Sequence, residues 1–313
     1  MSARNFLQSA LHPAGPDATV IHNLSWLLII GASVVLIGMM VLLALALRRK
    51  KSGAPVRPLR WLIGGGVVLP LVVLSALLAW STLRSAQLTR PSSQHAVKIA
   101  VTAKMWWWEV RYTDPATGHD IVLANEIRLP AGQSVYLGLT SADVIHSFWV
   151  PALAGKVDML PGRLHGLTVR ADKPGVYRGQ CAEYCGEQHA RMALHVVVQT
   201  PEEFTAWLAN QSKPAVTPAG ELALRGRDAF VARRCVACHA VRGVADEARL
   251  GPDLTHIGSR LYLGAGTLRN SPGAMAGWIA DPHASKPGVR MPTASDLDSA
   301  TLAAITAYLE QLQ

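Results

Sequence analysis

The sequence predicts a multidomain membrane protein: a two-helix transmembrane hairpin, then an all-β domain, then an all-α domain. Three observations predict it. Two long uncharged apolar runs lie near the N-terminus, short Val-, Ile- and aromatic-rich segments broken by turn residues fill the middle, and helix-periodic segments follow near the C-terminus. The 313 residues suffice for more than one core.

The first run, Leu24 to Leu47, has no charged residue and the length needed to cross a bilayer. The second, Trp61 to Leu83, matches it, and its Pro70 is tolerated in a membrane helix. The first run is longer than the apolar core of a cleaved signal peptide, basic residues follow rather than precede it, and no cysteine lies near it as a lipid anchor. It is therefore read as retained. The net charge of +9 would suggest nucleic acid if it were spread evenly, but residues 1–90 carry nine Lys/Arg against one acid. Residues 91–213 carry eleven against eleven, and residues 214–313 ten against nine. Six of the basic residues lie in Arg48–Arg60, between the two runs, as expected of a short cytoplasmic loop. The basicity therefore reports topology, with no nucleic-acid partner and both chain ends on the outer, periplasmic side.

A connector spans Arg84 to Gln94. From Val97 to Val198 come AVKIAVTAKMWWWEVRY, IVLANEIRLP, SVYLGLT, LHGLTVRA and LHVVVQT, separated by TDPATG, LPAG and DKPG turns, the pattern of a sandwich or Greek-key barrel. PEEFTAWLANQ reads as a short helix with proline in its first turn and acids after it. Ser212–Gly220 is Pro-rich and aperiodic, and is the expected linker. ELALRGRDAFVARR and LDSATLAAITAYLEQLQ are helical beyond it, the second capped from the Asp296–Asp298 region.

The chemistry is concentrated in Cys181–Met192, CAEYCGEQHARM. Two cysteines, a histidine and a methionine form the soft ligand set that favours copper in electron transfer. A single blue-copper site needs one cysteine, so the second thiolate points to two coppers bridged by two sulfurs. That requires an upstream histidine, and HSFWVP supplies His146. Cys181 and Cys185 then bridge, His146 and His189 each terminate one copper, Met192 is a weak axial ligand, and the Glu183 carbonyl serves the other copper. Zinc is the rival for two cysteines and two histidines; Met192, the uneven spacing and the β context weigh against it. Disulfides are the default for four cysteines in an exported chain, but both pairs sit in ligand motifs and none is assigned. Met105, Met159 and the histidines at 95, 119, 165 and 195 belong to no motif and are read as packing, surface or satisfied structural residues.

RRCVACHAV holds Cys235, Cys238 and His239 at the spacing of covalent haem c attachment, the histidine becoming the proximal ligand. A thioredoxin-like site would need neither that histidine nor this helical context. A methionine as sixth ligand raises the potential toward that of an oxidase donor. Met275 and Met291 are the candidates; Met275 falls in an expected helix.

Up to residue 213 the chain resembles subunit II of haem–copper cytochrome c oxidases. The match lies in the hairpin, MWWWEVRY, HSFWVP, KVDMLPGR and CAEYCGEQHARM. The resemblance implies a cupredoxin-like Greek-key barrel holding a binuclear CuA centre on His146, Cys181, Glu183, Cys185, His189 and Met192. It further implies that the Glu183 carboxylate binds Mg²⁺ or Mn²⁺ at the subunit I interface, and that Trp106 lies on the face where electrons arrive. Many members carry a Glu after the second membrane helix, at a proton pathway. Between Trp80 and Trp108 this chain has no acid, so no residue is carried over to that role.

The C-terminal region resembles class I cytochromes c, in PGVRMP around Met291 and in GPDLTHIGSR. Pro252 should then lie beside the proximal histidine, and the helix around Gly226 and Phe230 should pair with that around Tyr308. Together the resemblances imply a caa-type arrangement: residues 1–90 as hairpin, 91–213 as copper domain, 214–313 as cytochrome c domain. They imply the electron-accepting subunit of an oxidase in a bacterial inner membrane, with O₂ reduced to water in subunit I. Subunit III is a further expected partner. The expected donor is a soluble or membrane-bound cytochrome c, or a quinol–cytochrome c reductase. A quinol oxidase subunit would lack the copper ligands, a nitrous oxide reductase-like protein would need a further large domain, and a copper-delivery module would need neither haem nor hairpin.

Overall fold

The computed structural model describes residues 8–48, 58–88 and 97–313; residues 49–57 of the basic stretch, and the connector from residue 89 with His95, lie outside them. The chain forms two units, Asp17–Pro91 and a second made of Met1–Pro16 with Ser92–Gln313.

In the first unit, helix α1 (Pro16–Arg48) starts well before the expected Leu24, with proline at its first position and Asp17 in its first turn. Helices α2 (Pro58–Ile63) and α3 (Leu69–Leu88) continue each other through one π-helical turn, Gly64–Val68. Pro70 explains the turn. It cannot donate to the carbonyl one turn back, and three consecutive glycines let the backbone widen before it. Two spans, Pro16–Arg48 and Leu59–Ala86, are long and apolar enough to cross a membrane. Their large side chains face outward, and the Ser25, Ser33 and Thr82 hydroxyls donate to carbonyls four residues back, so apolar surroundings meet few free polar groups.

The second unit begins with a β-sandwich of two five-stranded sheets. The strands are β1 (Val97–Lys104), β2 (Trp107–Thr113), β3 (Asp120–Ala124), β4 (Glu126–Pro130), β5 (Ser134–Ser141), β6 (His146–Trp149), β7 (Val157–Met159), β8 (His165–Arg170), β9 (Gly175–Cys181) and β10 (Ala193–Gln199). One sheet runs β3-β2-β1-β5-β8 and the other β4-β10-β9-β6-β7, with β1–β5 and β4–β10 parallel. Two expected single segments divide. MWWWEVRY turns sharply to start β2, and IVLANEIRLP breaks at Asn125, whose φ of 60° moves the chain from one sheet to the other. Trp108, Tyr112 and Phe148 fill the space between the sheets, Trp108 edge-on to Phe148. Helix α4 (Pro201–Gln211) carries a full capping box, Thr200 with Glu203, and lays Phe204 and Trp207 against Tyr112.

The C-terminal part holds α5 (Glu221–Ala232), a two-stranded ribbon of β11 (Tyr262–Leu263) and β12 (Leu268–Arg269), α6 (Pro272–Ala280), α7 (Pro282–Ser285) and α8 (Ser299–Gln311). Asp298 caps α8 by accepting from the Thr301 amide. Gly226 brings α5 against α8: a Cβ there would lie 1.9 Å from the Ala304 carbonyl oxygen. Phe230 and Tyr308 meet edge to face beside it, the expected helix pairing.

The β-sandwich and the helical part share a polar seam. Glu126 of β4 accepts from the Leu261 amide at 3.0 Å and faces the buried Arg260 guanidinium, which donates to the Gln211 side chain. His195 of β10 stacks on Tyr262, the rings 4.3 Å apart and 13° from parallel. His195 is therefore a seam residue. Burial pulls its pKa down to about 4, with Arg178 adding to the fall and Glu126 opposing it. The unfolded imidazole takes its proton near pH ~6.5, whereas the folded one stays neutral to about 4. Stability is thus complete above about pH 6.5 and declines as pH falls toward 4, by roughly 2 kcal/mol at pH ~5. Urea unfolding of the full chain at the two pH values checks this, and His195→Phe, which keeps the stack, is expected to flatten the slope.

Candidate metal and haem sites

Strand register assembles the first site. β6 pairs with β9 so that Phe148 faces Cys181, which brings His146, at the start of β6, beside the last residue of β9. β9 and β10 are antiparallel neighbours, and the Cys181 amide donates to the Met192 carbonyl at 2.9 Å, closing the base of the loop. Between them the chain turns through Gly186, at φ 109°, and a single 3₁₀ turn at His189–Arg191.

The result is a buried pocket of soft donors. The Cys181 and Cys185 sulfurs are 3.7 Å apart. His146 Nδ1 lies 3.8 Å from the Cys181 sulfur and His189 Nδ1 lies 3.6 Å from that of Cys185. The Met192 sulfur is 3.9 Å from the Cys185 sulfur, and the Glu183 carbonyl oxygen is 3.2 Å from that of Cys181. Ligand atoms of His146, Cys181 and Cys185 all fall within 4.8 Å of one another. All six residues expected from the sequence converge here. Two sulfurs flanked by one imidazole nitrogen each, with a thioether on one side and a carbonyl on the other, suit two soft metal ions better than one tetrahedral zinc.

Electrostatics prime one of the two thiols for metal binding. The Cys185 thiol beside it holds Cys181 far below the usual thiol range, with help from His146 and against burial. The same pairing pushes Cys185 up, because a second thiolate beside the first is penalised, and burial adds to it. For His146, burial opposes protonation but Cys181 and Asp143 outweigh it and raise the pKa. His146 Nε2 donates to Asp143 Oδ1 at 2.8 Å, which leaves Nδ1 as the lone-pair nitrogen facing the sulfur. Asp143 is in turn held by the Met105 and Val144 amides. Sequence reading missed Asp143, although the D-x-x-H spacing of DVIH was visible.

Trp106 is half-buried, and its indole Nε1 donates to the Cys185 carbonyl at 2.8 Å. Trp108 is core, whereas Trp107 lies under the Lys104 ammonium. The Glu183 carboxylate is exposed and receives Lys156 Nζ at 3.2 Å, which also pairs with Asp158.

The second site lies where Cys235–Ala237 forms a 3₁₀ turn after α5, with Arg234 in the left-handed region. Cys235 and Cys238 are half-buried. His239 Nδ1 is 2.8 Å from the Pro252 carbonyl oxygen, an acceptor only, so Nδ1 carries the proton and Nε2 keeps its lone pair for a metal. Burial keeps this imidazole below its ordinary pKa. Its ring lies flush against Gly251, where a Cβ would approach to 2.7 Å. The donor set fits haem c. Of the two methionines, Met275 is 2% exposed and packed among Phe230, Ile305 and Tyr308. Met291 is half-buried in the loop between α7 and α8.

The family model for the periplasmic domain of cytochrome c oxidase subunit II matches residues 116–200, and that for cytochrome c matches residues 223–313. Cytochrome c oxidase subunit 2 of Alkalihalophilus pseudofirmus is 33% identical, over 97% of this chain and 91% of its own length. The subunit 2 of Bacillus sp. (strain PS3) is 30% identical, over 79% of this chain and 72% of its own. The crystal structure of the periplasmic domain of subunit II of the Bradyrhizobium japonicum cytochrome oxidase is 32% identical. It covers 38% of this chain and 95% of its own, with a TM-score of 0.35.

The Asp143 contact generates a prediction. Asp143→Asn keeps the shape but weakens the grip on His146. Copper affinity, measured by competition titration of the full chain, is expected to fall about 10- to 100-fold.

Proposed function

The chain belongs to the cytochrome c oxidase subunit II family and carries a cytochrome c domain, and from that premise we propose that it relays electrons from an external donor to subunit I. It is a component of a haem–copper oxidase complex, a membrane protein with a periplasmic domain. The order of the relay is our reading: haem c first, the dicopper centre second, subunit I last, where O₂ is reduced to water. The observation that carries the electron-transfer role is the pair of sulfurs flanked by two imidazole Nδ1 atoms.

His146, Cys181, Cys185, His189, Met192 and the Glu183 carbonyl are the proposed copper ligands. Cys235 and Cys238 would attach the haem covalently, and His239 and Met291 would ligate its iron. When bound, the two groups supply one-electron stations. The protein's own part is to hold the ligands still. Asp143 orients the His146 ring, Pro252 orients His239, and the end of β9 fixes the Cys181 thiol. Burial of the two cysteines excludes water, which lowers the reorganisation that accompanies a change of charge. Trp106, bonded to the Cys185 carbonyl, is the proposed point of arrival of electrons at the copper loop.

The Glu183 carboxylate, exposed on the other side of the residue whose carbonyl meets the thiols, is the proposed ligand for Mg²⁺ or Mn²⁺ shared with subunit I. Subunit III and a cytochrome c or quinol–cytochrome c reductase donor complete the proposed partners. The excess of Lys and Arg between the two spans supports an orientation with both termini on the periplasmic side. We assign residues 1–90, 91–213 and 214–313 to hairpin, copper domain and cytochrome c domain.

The purified full chain tests the reading. A mixed-valence dicopper EPR signal together with a covalent c-haem spectrum supports it; one zinc and no copper sinks it. In the Cys235→Ala, Cys238→Ala double variant, covalent haem is expected to vanish while copper binding stays intact. Loss of both would mean that the two sites do not lie in separable domains.

A further inference from the structure

Lys286 follows α7 on the cytochrome c side, yet its side chain is 1% exposed. Its Nζ donates to three carbonyl oxygens: Trp106 at 2.7 Å, Arg191 at 2.8 Å and Gly264 at 3.1 Å. Two of these belong to the copper domain and one to the loop between β11 and β12. An ammonium has three N–H donors, and here each meets one acceptor, so the buried cation is fully satisfied without a counter-charge. Burial, opposed by Cys185 and reinforced by Arg191, brings its pKa down to about 7.

The two carbonyls on the copper side are not arbitrary ones. Trp106 is the residue whose indole bonds to the Cys185 carbonyl, and Arg191 immediately precedes Met192. Neighbouring contacts run the same way. Arg191 Nη1 donates to the Ser285 carbonyl at 2.6 Å, and the Ala193 amide donates to the Ala265 carbonyl at 2.9 Å. Gly266 allows the close approach: a Cβ there would lie 2.9 Å from the Ala193 methyl.

We propose that Lys286 is a positioning residue, a clamp that seats the cytochrome c domain on the two backbone segments flanking the copper loop. The inference rests on the reading of these residues as a copper loop and a haem domain. The clamp fixes the approach of the haem domain to Trp106, so the chain's own cytochrome, not an external one, occupies the face where electrons arrive. External donors are then served only at the haem domain.

The test uses the full-length chain, metal-free and loaded, and the assembled complex. In Lys286→Met, hydrogen exchange at the Ala193 and Leu261 amides, both of which donate across the seam, is expected to rise about tenfold or more while amides of β1 and α8 hold. In the loaded complex, transfer from reduced haem c to the dicopper centre is expected to slow about tenfold or more, with both spectra intact, because misplaced partners lose rate steeply. Lys286→Arg keeps the charge in a group too large for the three-carbonyl cradle and is expected to give the same two changes, which covers the case where the methionine variant fails to fold. Unchanged exchange and an unchanged transfer rate overturn the clamp. Absence of a dicopper signal in the native chain overturns the proposed function instead, and the exchange measurement on metal-free protein still decides the clamp.

Discussion

Everything in the periplasmic unit depends on the pairing of β6 with β9. That register sets Phe148 opposite Cys181 and thereby fixes an imidazole from one strand beside a thiol from another. A slip of one residue would turn His146 to the opposite face of its strand and remove the second nitrogen from the pocket. The pleat is held by what lies behind it: Phe148 meets Trp108 edge-on, and Trp108 is fully buried between the sheets. The hydrophobic core therefore specifies the ligand geometry, and the metal need not build it. Preformed soft ligands in a dry pocket suit a site whose job is to change charge without moving.

That arrangement has a cost that the surrounding polar groups offset. Two thiols and two imidazoles packed together would repel or protonate unfavourably if each acted alone. Instead Asp143 accepts the hydrogen bond from His146 Nε2, and the paired sulfurs are pushed apart, Cys181 toward the thiolate and Cys185 toward the thiol. At the second site the same device recurs: the Pro252 carbonyl accepts the hydrogen bond from His239 Nδ1 and leaves Nε2 as the lone-pair nitrogen. Both sites thus orient an imidazole through the nitrogen that the metal does not use.

Much of this was legible in the sequence, and for a physical reason. Metal ligands and haem attachment require particular residue types at short spacing, so CAEYCGEQHARM and CVACH announce themselves without a fold. The apolar runs were equally plain, although Pro16 and Asp17 begin the first helix earlier than its uncharged stretch does. What stayed hidden depends on tertiary contact. Nothing in NEI tells that Asn125 turns left-handed and sends β4 to the other sheet. His195 had no motif and was read as surface or satisfied structural; it is buried and stacked on Tyr262, at a seam the sequence did not announce. Lys286 was singled out by no motif, and only the assembled fold buries it. The near balance of charge on both domains hid the seam as well, since its few charges are used in specific pairs rather than as a field.

The seam itself calls for an explanation that affinity does not supply. The two domains are joined through Ser212–Gly220, and a short linker already gives an effective concentration on the order of millimolar. Weak contacts would then suffice to keep them together. Yet the seam buries Glu126, Arg260 and Lys286, groups whose desolvation adds little net stability and whose mispairing is heavily penalised. Apolar residues would hold the domains more cheaply but would tolerate many orientations. Buried polar groups tolerate fewer: Lys286 meets three carbonyls, and Arg260 donates to Gln211 with Glu126 4.0 Å away. The polar seam is therefore a device for orientation. The proposed relay would need that more than tight binding, because the linker already keeps the two domains close and only geometry ensures that they face each other.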